Sequence, residues 1–259
     1  MPIATNTTPD SPVTEASQRT AKLGAALIGT LALLSAIAPL ATDLYLSAFP
    51  AMTLELATTA TGVQLSLTTF LVGAGLGQVI FGPLSDRIGR RGPLLTGLVI
   101  YLLSSVAAAA APTVEVLVVA RLVQGLSGAA GMVLSRAIIA DLARGAAAAR
   151  ALSAMMLVSA IAPISAPFLG SVLVGVIGWR GLLGIVAALG AVSIVFVLAF
   201  VKESRTPHAR RDAQVGEGRL LSRRYLGYTL TYGFAFATMM AYISASPFVY
   251  QNMIGMSEI

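Results

Sequence analysis

The chain has 259 residues, no cysteine, a single histidine and a formal net charge of +6. Hydrophobic residues make up 56% of it and charged residues 11%, with a mean hydropathy of +0.84. A soluble domain carries about twice that charge fraction, so this chain is too poor in charge to cover a water-facing surface and reads as a membrane protein. Disulfides and cysteine-ligated metal are excluded, and His208, alone in a charged stretch, has no partner at metal-ligand spacing.

Residues 1–22 are polar and rich in Thr, Ser and Pro, and are expected to form a disordered tail. The apolar run that begins at Leu23 is too long for the core of a signal peptide. Runs of membrane-spanning length follow at about 23–49, 61–81, 93–111, 114–140, 151–178, 181–201 and 225–250. They are continuous rather than alternating, so they predict helices and not barrel strands. Basic residues fall in every second connection. Arg19 and Lys22 precede the first run, Arg87, Arg90 and Arg91 follow the second, and Arg144 and Arg150 follow the fourth. The densest cluster, from Lys202 to Arg224, follows the sixth. The other connections hold little beyond Glu55, Glu115, Arg180 and Glu258. The positive-inside rule then places the N-terminus in the cytoplasm. The basic charge is a topology signal, which argues against nucleic acid as a partner. Residues 202–224 are expected to be a cytoplasmic linker between a six-helix block, 23–201, and a further membrane segment, 225–259.

Four constellations stand out in chain order. In the first run, Asp43 is the only acid, one turn beyond Pro39 and two residues before Tyr45. It lies ~10 Å below the outer end of a helix reaching residue 49; if that helix stops early, Asp43 is interfacial. Between the second and third runs, Gly82–Arg91 predicts a tight charged turn. There Gly82 and Gly89 allow unusual dihedrals, and Asp86 either accepts hydrogen bonds at the start of the next helix or pairs with an arginine. In the fourth run Arg121 and Gln124 share a face, with Gly125, Gly128, Gly131 and Met132 beyond them. Counting from Thr113, Arg121 sits ~12 Å deep. A cation there costs ~2.5–3.5 kcal/mol on insertion scales and ordinarily faces a partner or a cavity. Asp43 lies at matching depth with opposite sign, which suggests a shared cavity. Arg136 lies close enough to the membrane surface to snorkel, and Asp141 follows it. In the fifth run Pro163 and Pro167, four apart, predict a bend ahead of Gly170. In the seventh, Tyr242 and Ser246 are placed to line a cavity, and Tyr250 suits an interfacial aromatic belt equally well.

The run Gly82-Pro-Leu-Ser-Asp-Arg-Ile-Gly-Arg-Arg91 resembles the signature between the second and third helices of the major facilitator superfamily. The stretch from Arg121 to Gly131 resembles the fourth-helix motif of its proton-driven drug exporters. Asp43-x-Tyr-Leu-x-Ala-x-Pro50 and Ala162-Pro-x-x-Ala-Pro167 are similar to the bicyclomycin/chloramphenicol-resistance branch; Ala162 stands where the exporters' antiporter signature normally has glycine.

The resemblance implies an all-α major facilitator fold: an N-terminal six-helix bundle plus the first helix of a second half. It implies a multi-pass protein of the bacterial inner membrane that exports drug-like small molecules by alternating access, with protons as the coupling ion and no cofactor. Asp43 and Arg121 would couple protons. Tyr45, Gln124, Met132, Tyr242 and Ser246 would line the substrate cavity. Gly82, Asp86, Arg87, Gly89, Arg90, Arg136, Asp141, Pro163, Pro167 and Gly170 would gate it. Family members have twelve helices and this sequence has seven, so a truncated chain whose missing half is needed for transport is expected. A metabolite transporter of the same fold and a non-transporting half-length membrane protein remain alternatives. There is no glycine-rich phosphate loop and no H-E-x-x-H run, so an enzyme is not expected.

Overall fold

In hydrocarbon a backbone must satisfy its own hydrogen bonds, and these apolar runs do so as helices. The computed structural model describes residues 24–205, 226–235 and 238, and contains no strand among them. The chain divides into two compact units, residues 1–211 and 212–259. In the second, residues 226–235 are helical with exposed side chains.

The first unit is a helical bundle built from α1 (Ala25–Asp43), a 3-10 turn (Leu46–Ala48), α2 (Phe49–Glu55), α3 (Ala60–Ile88), α4 (Arg91–Ala109), α5 (Val114–Leu142) and α6 (Gly145–Phe200). Threonines start two of the long helices. Thr59 Oγ1 accepts the Gly62 N–H at 3.2 Å and Thr113 Oγ1 that of Val116 at 3.5 Å, satisfying donors that a helix start leaves free. Among the described residues, five stretches are long and apolar enough to cross a membrane, the last being the 56 residues of α6. That length covers two crossings. Gly178, at φ 66° and ψ 178°, divides α6 into arms 145–177 and 179–200.

Three sequence expectations change. The first run is not one helix to residue 49: α1 stops at Asp43, Tyr45 takes φ −100° and ψ 0°, and α2 starts afresh at Phe49. Pro50 explains the break. In a continuous helix its ring would collide with the carbonyl four residues back, but in a first turn it is tolerated. The charged turn at 82–91 is mostly helix. α3 runs to Ile88 and α4 begins at Arg91, leaving Gly89 at φ 107° and Arg90 as the connection. The helical path of α6 continues through Pro163 and Pro167 and departs only at Gly178.

Small residues on α5 let its neighbours approach closely. A side-chain carbon added to Gly125 would overlap the Phe70 carbonyl of α3. One added to Gly73 or Gly77 would overlap the backbone of Leu122 or Leu126. Thr69 Oγ1 donates across the same contact to the Val118 carbonyl at 3.1 Å. On α5's other sides, Gly131 faces the Leu34 backbone of α1, and Ala130 packs into Gly97 of α4. The outer faces are apolar, with Leu71, Val79, Leu103, Val119, Ile164 and Phe168 exposed, as lipid contact allows.

Gly125→Ala is expected to lower the stability of detergent-solubilised protein by ~1–3 kcal/mol, because the obstacle is backbone. Gly75→Ala, where nothing lies within 4 Å of the added carbon, is expected to stay within ~0.5 kcal/mol of the parent. Thermal melting of the two variants side by side checks this.

Candidate functional site

Arg121 sits two turns into α5 and is 0% exposed. Its Nη1 donates to Gln124 Oε1 at 2.6 Å and its Nη2 to the Ala41 carbonyl at 2.9 Å. Ala41 lies in the last turn of α1, where carbonyls outrun the helix's own donors. The guanidinium carbon stands 4.5 Å from the Tyr45 ring centroid and 4.3 Å from that of Phe70. Tyr45 is fixed in turn by a 3.1 Å hydrogen bond between its hydroxyl and Ser66 Oγ. Gln124 Nε2 donates to Ser105 Oγ at 2.6 Å, and Ser105 Oγ donates to the Tyr101 carbonyl at 2.6 Å. One polar network therefore ties α1, α3, α4 and α5 together. Arg121 Nε and the Tyr101 hydroxyl are buried without hydrogen-bond partners among the described residues.

Asp43 is half-buried as the last residue of α1, two positions beyond Ala41. It forms no ion pair with Arg121. Arg121 reaches the end of α1 through the Ala41 carbonyl, not through contact with the opposite charge. Tyr45 and Gln124 are fully buried around Arg121. Met132 is partly buried against the apolar core. Tyr242 and Ser246 lie outside the described residues.

A second cluster lies at the end of the bundle that carries the basic residues. Arg90 Nη1 pairs with Asp86 and Nε with Asp141, each at 2.9 Å, and Nη1 also reaches Ser85 Oγ at 2.7 Å. Asp86 receives a second cation, Arg205, at 2.9 Å. Asp86 does not cap α4, one of the two roles expected of it. Glu203 does so, accepting the N–H of Arg90 at 2.9 Å and of Arg91 at 3.3 Å. Ser204 Oγ donates to Asp141 at 3.1 Å. Arg87 and Arg136 are exposed, Gly82 lies near Val133, and Gly89 supplies the positive φ of the turn. Pro163 is exposed and Pro167 half-buried. Gly170 presses on the Leu44 carbonyl, where a side chain would overlap it.

Sequence reading missed Ser105, Ser66 and Glu203. The serines carry no signal, being ordinary residues of apolar runs. Glu203 had one: an acid among bases, placed where the chain returns to the basic end. At the opposite end Glu55, read only as a sparse loop charge, accepts from Trp179 Nε1 and pairs with Arg180. Arg180 also donates to the Ala111 carbonyl at 3.1 Å.

Residues 31–259 match the family model described as Major Facilitator Superfamily. This chain belongs to the major facilitator superfamily. Its members are transporters rather than enzymes, and the chain is accordingly a multi-pass membrane protein. It is 38% identical over 246 residues to the uncharacterized MFS-type transporter YdgK of Bacillus subtilis, covering 92% of this chain and 61% of that one. It is 32% identical to the chloramphenicol resistance protein of Pseudomonas aeruginosa, covering 90% and 57%, in agreement with the drug-exporter branch that its motifs resemble. The chain thus spans about three fifths of the length of these relatives. Among solved structures, the proton:xylose symporter XylE superposes with a TM-score of 0.70 at 16% identity, over 90% of this chain and 63% of that one. At that identity the likeness shows the shared fold alone.

α4 has no side-chain cap of its own. Glu203→Ala is therefore expected to free its first-turn amides, at a cost of ~1 kcal/mol. Hydrogen exchange at Arg90 and Arg91 should accelerate about fivefold.

Proposed function

We propose that the chain carries the first half of a proton-coupled exporter of drug-like small molecules, working by alternating access in a bacterial inner membrane. In this reading residues 23–201 are the first six-helix half, 202–224 a cytoplasmic linker and 225–259 the opening of the second half, which completes the central site. The N-terminus is cytoplasmic. The names of the resistance relatives support the substrate class, and the Asp43 and Arg121 motifs support proton coupling.

The observation that carries the proposal is the seat of Arg121. A fully buried cation with no carboxylate partner among the described residues is costly, and such residues within membranes mark ion or substrate pathways. Its main-chain acceptor, the Ala41 carbonyl, is two residues from the only acid of α1. A change of charge at Asp43 alters the field at that helix end, and with it the position of Arg121 and of the helices it joins. One proton moved down 100 mV supplies ~2.3 kcal/mol and one unit of pH difference ~1.4 kcal/mol, enough in small multiples to concentrate a neutral drug. At the basic end, Asp86, Arg90, Asp141 and Arg205 gate the transition by making or breaking ion pairs.

The test is proton-driven uptake of chloramphenicol and bicyclomycin into inverted vesicles carrying the full-length protein. Asp43→Asn is expected to abolish uptake while the protein still inserts. Arg121→Ala should displace the pH profile of uptake toward higher pH, since loss of a nearby cation favours a protonated carboxyl. Arg121→Lys should rescue only in part, because an ammonium lacks the planar fork that serves two acceptors at once. Wild-type uptake in Asp43→Asn would remove α1 from the mechanism. Orientation has its own check. The sequence holds no cysteine, so Gln214→Cys offers a single thiol, expected to resist an impermeant reagent in intact cells. Ready labelling there reverses the topology.

A further inference from the structure

We propose that Ser105, on α4, is a positioning residue for the Arg121 guanidinium and acts through Gln124. The inference rests on the coupling role given to Arg121 above.

Arg121 is held at few points. Only two of its nitrogens are engaged, Nη1 by Gln124 and Nη2 by Ala41, and the two aromatic faces beside it impose no direction within the guanidinium plane. Losing either hydrogen bond leaves a charge held by a single directional contact. The Gln124 bond depends on which way its amide points. An amide has an accepting oxygen and a donating nitrogen, and flipping it would turn an NH2 toward the cation. Ser105 sets the orientation. Its hydroxyl proton is committed to the Tyr101 carbonyl at 2.6 Å, so its oxygen is left to accept, and it does so from Gln124 Nε2 at 2.6 Å. Ser105 is fully buried, so no water replaces it as the acceptor.

The neighbouring serine provides the contrast. Ser104 is also buried, but its hydroxyl turns back on its own helix, to the Ile100 carbonyl at 2.8 Å and that of Tyr101 at 3.0 Å. Its removal deletes a comparable hydroxyl from the same turn without touching Gln124. Among the described residues, Ser105 is the α4 side chain that hydrogen-bonds to Gln124.

The experiment reads the Arg121 side chain directly. Full-length protein with nitrogen-15-labelled arginine is placed in lipid nanodiscs, and the Arg121 resonances are assigned by their loss in Arg121→Lys. A guanidinium gripped at both ends rotates slowly about its C–N bonds and gives separate Nη–H signals. Wild type and Ser104→Ala are expected to show them. Ser105→Ala is expected to average them. Ser105→Cys, similar in volume but a poor acceptor, should do the same and stands in if the alanine variant does not fold. Separate signals persisting in the Ser105 variants overturn the assignment, as does equal averaging in Ser104→Ala, which would mean general loosening. Unaltered proton-driven uptake in Arg121→Ala overturns the coupling reading, and with it the role given to Ser105, whatever the spectrum shows.

Discussion

A full positive charge sealed inside an apolar bundle sets the terms for everything around it. Moving a guanidinium from water to such a place costs several kcal/mol after relaxation, and among the described residues no carboxylate repays it. The compensation is assembled from partial charges. The negative end of the α1 dipole, an amide oxygen and two aromatic faces all converge on Arg121. Dipoles act only at short range and in the right orientation, so each donor element is fixed relative to α5. α1 contributes a carbonyl, α3 a ring, and α4 the serine that orients the amide. The break in α1 belongs to this arrangement. Had the helix continued past Asp43, the amide of residue 45 would be the ordinary partner of the Ala41 carbonyl.

Such convergence demands that helices lie unusually close, and the glycines provide it. Phe70 shows the link. Its ring covers Arg121, while its carbonyl occupies the space a side chain at position 125 would need. Gly125 follows Gln124 directly in sequence, so the residue that holds the cation and the residue that admits the aromatic ring are neighbours. Gly170 does the same for α1 from the other side, against the Leu44 carbonyl. The end of α1 is thus gripped from α5 by a charge and from α6 by close backbone contact.

Much of this was legible from residue types alone. Apolar runs of spanning length gave the helices, because in lipid no other backbone arrangement is satisfied. Arg121 announced itself, since a cation ~12 Å deep is rarely retained for packing. What stayed hidden was whatever depends on which residues meet. Asp43 and Arg121 have opposite charge and similar depth, which suggested a shared cavity. That Arg121 would dock on the Ala41 carbonyl, at the end of a helix that stops short of Pro50, was not legible. Asp86 looked able to cap the next helix, but that position is taken by Glu203, 113 residues along the chain from Arg90. Ser105 is indistinguishable in sequence from Ser104; a helical rotation of ~100° decides which of them faces α5.

The geometry at the end of α1 also bears on how, under the proposed mechanism, one acid and one base could be coupled without touching. Asp43 is the last residue of the helix, where the dipole's negative end disfavours a further anion. Arg121, docked on the carbonyl two residues earlier, opposes that repulsion. In the proposed coupling, an ionised Asp43 and a docked Arg121 would support one another through the same helix terminus. Protonating Asp43 removes the anion, and with it part of the field that retains the cation. A direct ion pair would lock the two side chains together and make release expensive, since separating it strands two buried charges. A shared helix end couples them more weakly, by the ~0.3–2 kcal/mol that charges near a terminus are worth. The upper part of that span overlaps the ~1–3 kcal/mol typical of coupling between linked sites.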